Sequence, residues 1–73
     1  MWEKELDKRK MTLASNIKRI RLERGLAQER LALEAGVDRT LVSKIERQIA
    51  NPSLEILVKL ATTLKVKVVS LLE

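Results

Sequence analysis

The sequence predicts an all-α domain of five short helices, and three observations carry that expectation. Apolar residues recur at three- and four-residue intervals through most of the chain, as in Leu13, Ile17 and Ile20 or Leu54, Leu57, Ala61 and Leu64. That is the period of a helix with one buried face. Starting and stopping residues punctuate those stripes: Gly25, Gly36, Asp38, Pro52 and Ser53. Finally, 73 residues without a cysteine leave room for one small domain whose stability must come from apolar packing.

Element by element, residues 1–11 carry four basic against three acidic side chains and read as a charged N-terminal tail. Glu5 and Arg9 stand at the spacing of a helical ion pair, so a frayed helix is the alternative there. Thr12 is the candidate cap of a first helix, which turns Leu13, Ile17 and Ile20 inward and ends at Arg24, with Gly25 beyond it. A second helix runs from Gln28 with Leu31, Ala32 and Ala35 inward. Gly36 follows, suited to the left-handed conformation that closes a helix. Asp38 offers a cap oxygen to a third helix with Val42 and Ile45 inward, leaving Arg39, Thr40, Ser43, Lys44 and Arg47 outward on one side. Residues 48–51 connect. Ser53 can cap a fourth helix whose stripe is widened by Ile56, Val58 and Leu60. The apolar end, Val66 to Leu72, reads as a fifth helix, because a lone strand has no partner to stabilise it.

Composition excludes several function classes. Without histidine or cysteine the chain lacks the usual general base and the commonest metal ligands, and no carboxylates cluster, so no catalytic residue, metal or cofactor is expected and the protein reads as a non-enzyme. Neither a membrane-length apolar run nor a signal peptide is present, so a cytoplasmic location is expected. The basic residues are spread over separate short helices, unlike one long membrane-active face. Most of the formal net charge of +5 falls in residues 12–51, with eight basic against five acidic side chains. Two small helices about a glycine turn, the second basic and hydroxyl-rich, have the geometry that fits a DNA major groove. Basic charge around such a helix suits a polyanionic partner through counterion release.

From Leu13 to Leu72 the chain resembles the lambda repressor/Cro-type, or Xre, helix-turn-helix family. The resemblance rests on the run from Ile17 to Leu26 (IKRIRLERGL), Gln28, Leu31-Ala32, Gly36-Val37, Ile45-Glu46-Arg47 and Asn51-Pro52-Ser53-Leu54, in family order and spacing. Asp38-Arg39-Thr40 further resembles the controller proteins of restriction–modification systems. The resemblance implies a lambda repressor-like domain over residues 12–73 with its helix-turn-helix at 28–47. It implies base contacts from Arg39, Thr40, Ser43 and Lys44, and phosphate contacts from Gln28, Arg47 and Asn51. It also implies a buried ion pair between Arg21 and Glu46. The surplus apolar residues, with Val66, Val69 and Leu72 among them, suggest a twofold homodimer interface.

Three kinds of departure from the family pattern, at five positions, stand out. Ala27 stands where Ser or Thr usually caps the second helix. Gln48 and Lys65 stand where glycine commonly ends a helix, while Ile49 and Val69 replace usual polar residues. The expected function is a sequence-specific double-stranded DNA-binding transcriptional regulator acting as a homodimer on a dyad-symmetric operator, with no small-molecule effector evident. The alternative is an antitoxin or other protein-interaction module whose DNA binding is autoregulatory.

Overall fold

The spacing of apolar side chains produces five helices and no strand: α1 Trp2–Glu23, α2 Gln28–Ala35, α3 Arg39–Glu46, α4 Leu54–Leu64 and α5 Val68–Leu72. These come from a computed structural model describing residues 1–73. α2 packs on α3 and on α4, α1 lies against α3 and α5, and α5 also touches α4. Their shared interior is aliphatic. Ile17, Leu31, Val42, Ile45, Leu60, Leu64 and Leu71 are its fully buried large side chains, whereas Trp2, the single aromatic residue, is exposed.

Residues 2–11, read as a charged tail, are instead helical and continuous with α1. Thr12 consequently lies inside the helix and does not cap it. Three physical reasons account for the extension. Glu3 and Glu5 fall in the first turn, where negative charge complements the helix dipole. Glu5 accepts from Arg9 Nε at 2.6 Å, and Arg9 Nη1 also donates to the Leu72 carbonyl at 2.8 Å, tying the extension to the end of α5. Leu6 is half-buried in a cleft of about 160 Å³ shared with Leu13, Leu57 and Leu72. At about 1.5 Å per residue the 22 residues of α1 reach roughly 33 Å. That length matches the 36 Å long axis of the molecule.

Helices α1 to α4 all end the same way. In each, an amide donates to a carbonyl five residues back at 3.0 Å: Leu26 to Arg21, Val37 to Ala32, Ile49 to Lys44 and Val66 to Ala61. The turn requires a left-handed residue just before that donor. Gly36 supplies it after α2 with φ 70°. After α3 and α4 the same conformation is imposed on Gln48 (φ 65°) and Lys65 (φ 60°), at a cost of about 1 kcal/mol each. The tight connection between α3 and α4 is retained without the glycine that would make it cheap. At the other ends, Ser53 Oγ caps α4 by accepting the Ile56 amide at 3.2 Å, while Ala27 gives α2 no side-chain cap.

α5 is only five residues long, too short to persist alone in water. Leu71 buries it, and Asn16 holds it: the buried amide Nδ2 donates toward the carbonyls of Ser70, Leu71 and Glu73 at 3.1–3.2 Å. Two amide protons thus serve three carbonyls that a helix end leaves unpaired.

Candidate nucleic-acid interface

α3 is pinned on one side and open on the other. Val42 and Ile45 are buried, and at 100° per residue the outward positions 39, 40, 43, 44 and 47 fall within an arc of roughly 140°. Asp38 fixes the start of the helix: its Oδ1 accepts the Thr40 backbone N–H at 2.8 Å and the Thr40 hydroxyl at 2.7 Å. Those two bonds, with smaller contributions from Lys44 and Arg39, hold the Asp38 carboxyl below the usual aspartate range.

The orientation of α3 against α1 and α2 rests on a buried polar joint. Arg21 Nε and Nη2 donate to the two carboxylate oxygens of Glu46 at 2.8 and 3.1 Å, a bidentate pair whose side chains are 9% and 6% exposed. The third arm, Arg21 Nη1, donates to the Leu26 carbonyl at 2.7 Å. Gln28 Nε2 donates to Glu46 Oε1 at 3.1 Å, and no buried side-chain polar atom lacks a partner. One joint therefore links α1, the α1–α2 turn, α2 and α3.

Of the residues expected at the interface, Gln28, Arg39, Thr40 and Ser43 line one open groove of about 310 Å³ between α2 and α3, together with Glu29. No apolar residue lines it. Lys44 is exposed on α3, Arg47 forms its C-cap, and Asn51 is exposed in the connection that follows. Gln28 is half-buried and uses one amide proton on Glu46, leaving the other available. Asn51 lies outside the groove, beside the α1 extension in the cleft that holds Leu6.

Sequence reasoning missed Glu29, Asn16 and the bond from Arg9 to the Leu72 carbonyl, although it paired Arg9 with Glu5. Asn16 carried a signal, since it falls three residues after Leu13 and four before Ile20 and so shares their inward face. Glu29 carried none, because its partner Arg39 is ten residues away across the turn. The apolar surface also differs from expectation. Val69 is 58% exposed, but Val66 and Leu72 are half-buried against the core. Leu54 and Val58, four residues apart on α4, are exposed as well. No helix is long and apolar enough to cross a membrane, and no group of His, Cys, Asp or Glu is placed to hold a metal ion.

Comparison with known proteins places this geometry. The chain is 42% identical over 60 residues to the Neisseria hypothetical transcription factor of Neisseria meningitidis serogroup B, covering 82% of this chain and 57% of that protein. It thus spans little more than half the length of that relative. The crystal structure of the Neisseria factor NHTF superposes with a TM-score of 0.86 at 38% identity, over 89% of this chain and 75% of that one. The restriction–modification controller protein C.AhdI from Aeromonas hydrophila gives a TM-score of 0.81 at 35% identity, over 85% of this chain and 94% of that one. The wild-type controller protein C.Esp1396I gives 0.77 at 37% identity, over 85% and 82%. The HTH_3 family, described as helix-turn-helix, matches residues 17–71. With α2 and α3 as two adjoining short helices inside the matched residues, this protein belongs to the HTH_3, or Xre-type, helix-turn-helix family.

Proposed function

We propose that this protein is a transcriptional regulator that reads a specific double-stranded DNA site through α3 and binds a dyad-symmetric operator as a homodimer. The observation that carries the reading is the outward face of α3. It presents two hydroxyls and three cations on a helix whose start is fixed by Asp38 and whose inner face is locked by Val42 and Ile45. An α-helix so mounted fits the major groove. Arg39 and Lys44 suit guanine O6 and N7. The Thr40 hydroxyl is bonded to Asp38, which leaves its methyl to contact a thymine methyl. Gln28, Arg47 and Asn51 are assigned to phosphates, where they set register. The likeness to restriction–modification controllers supports a controller role, carried here by Asp38-Arg39-Thr40.

One recognition helix reads only a few base pairs, so a second copy supplies the information a specific site needs. The exposed apolar residues Val69, Leu54 and Val58 are assigned to the twofold interface, with Val66 and Leu72 supporting it from the core side. Such a dimer sets two α3 helices roughly 34 Å apart, matching half-sites about 10 base pairs apart. Binding-site selection from random DNA, followed by footprinting and sedimentation, tests this. The expected result is a salt-sensitive dyad site and a dimer that Val69→Asp converts to helical monomers. Wild-type protein that is monomeric at tens of micromolar and selects sites without dyad symmetry would overturn the dimer.

A further inference from the structure

Glu29 lies in the groove beside Arg39 and has no place among the contacts assigned above. It occupies the first turn of α2, and its Oε2 accepts from Arg39 Nη1 at 2.8 Å. The two side chains are 74% and 70% exposed. A pair so open to water and salt adds little to folding. Nor does it help bind a polyanion, because a carboxylate at the start of α2 opposes the attraction of phosphate to a helix N-terminus. Its chemistry fits a different task. The bond uses Nη1 of Arg39 and leaves the Nε and Nη2 hydrogens for the O6 and N7 atoms of a guanine.

We infer that Glu29 is a specificity-determining residue that positions the Arg39 guanidinium for one guanine and disfavours every duplex lacking it. The inference rests on the proposed reading of DNA by Arg39. At the correct base pair, the guanidinium bridges the carboxylate and the guanine, and water leaves the pair, which strengthens both interactions. At a wrong base pair Arg39 would otherwise swing to a neighbouring phosphate. Glu29 competes for it, and its own charge faces the backbone unrewarded. Discrimination here is thus a repulsive element built beside an attractive one.

The test measures affinities by fluorescence anisotropy for wild type, Glu29→Ala, Arg39→Ala and the double variant. The duplexes are the wild-type selected site, its single-base-pair variants and a random duplex. Glu29→Ala is expected to bind the random duplex several-fold more tightly. It should lose about ten-fold in discrimination at the base pair Arg39 reads and at no other. The double variant should match Arg39→Ala at that base pair, and melting should scarcely change. Wild-type discrimination retained by Glu29→Ala at that base pair, or an equal loss at all base pairs, overturns the role of Glu29 while leaving DNA recognition intact. A wild-type protein that binds all duplexes alike overturns the reading on which it rests.

Discussion

Two arginine–glutamate pairs in this protein have the same closest approach, 2.8 Å, in opposite surroundings: Arg21 with Glu46, and Arg39 with Glu29. The first is all but closed to solvent, bidentate and completed by Leu26 and Gln28; the second is largely exposed and makes one bond. Distance therefore says little about what a pair does. In the interior, losing one partner strands a charge away from water, so the pair holds α1 and α3 in register. At the surface each partner alone is content with water, so the pair is free to rearrange around a ligand.

The largest expected effect lies at the buried pair. Arg21→Ala and Glu46→Ala should each cost about 3–5 kcal/mol, enough to abolish folding of so small a domain near room temperature. Circular dichroism melts check this; melts within a degree or two of wild type would mean that solvent reaches the pair. The next effect belongs to Asn16. Asn16→Ala removes the donor shared by the last carbonyls of α5 and should destabilise by about 1–3 kcal/mol. Amide exchange should then rise first in α5 and leave α3 protected, a pattern that separates this polar contact from the central joint.

Smaller changes lie at the helix ends. Lys65→Gly should stabilise by about 0.5–1 kcal/mol, because relief of the left-handed strain exceeds the added freedom of the unfolded chain. A lowered melting temperature would show that the Lys65 side chain contributes contacts worth more than the strain. The smallest effect concerns Asp38. Its carboxyl is held below the ordinary aspartate value by Thr40, so its contribution is fully present above that value and is lost as pH falls through the depressed one. Asp38→Asn should keep the cap yet flatten that acidic part of the stability–pH curve. An unchanged curve would show that the cap does not depend on the charge of Asp38.

The two pairs also show why some of this molecule was legible in its sequence and some was not. The five helices follow from periodicity and from stop residues that act locally, and the left-handed ends at Gln48 and Lys65 fall where the pattern leads one to look for glycine. Arg21 and Glu46 were reachable because the family pattern pairs them. Glu29 was not, since the turn geometry alone decides which side chain of α2 meets Arg39. The α1 extension, for which a frayed helix is only the alternative reading, is less legible for a related reason. Residues 1–11 are too charged to declare a helix by themselves, and what folds them is docking at Leu6 and at the Leu72 carbonyl, contacts made some sixty residues away along the chain.

The contrast between the two pairs is tested most directly by measuring melting temperature and affinity for the selected DNA site on one variant, Arg39→Ala. Arg39→Ala should melt within about 4 °C of wild type and lose about 1–3 kcal/mol on the preferred site, with the loss confined to one base pair. Melting that collapses as for Arg21→Ala, or unchanged selectivity at every base pair, would contradict that contrast.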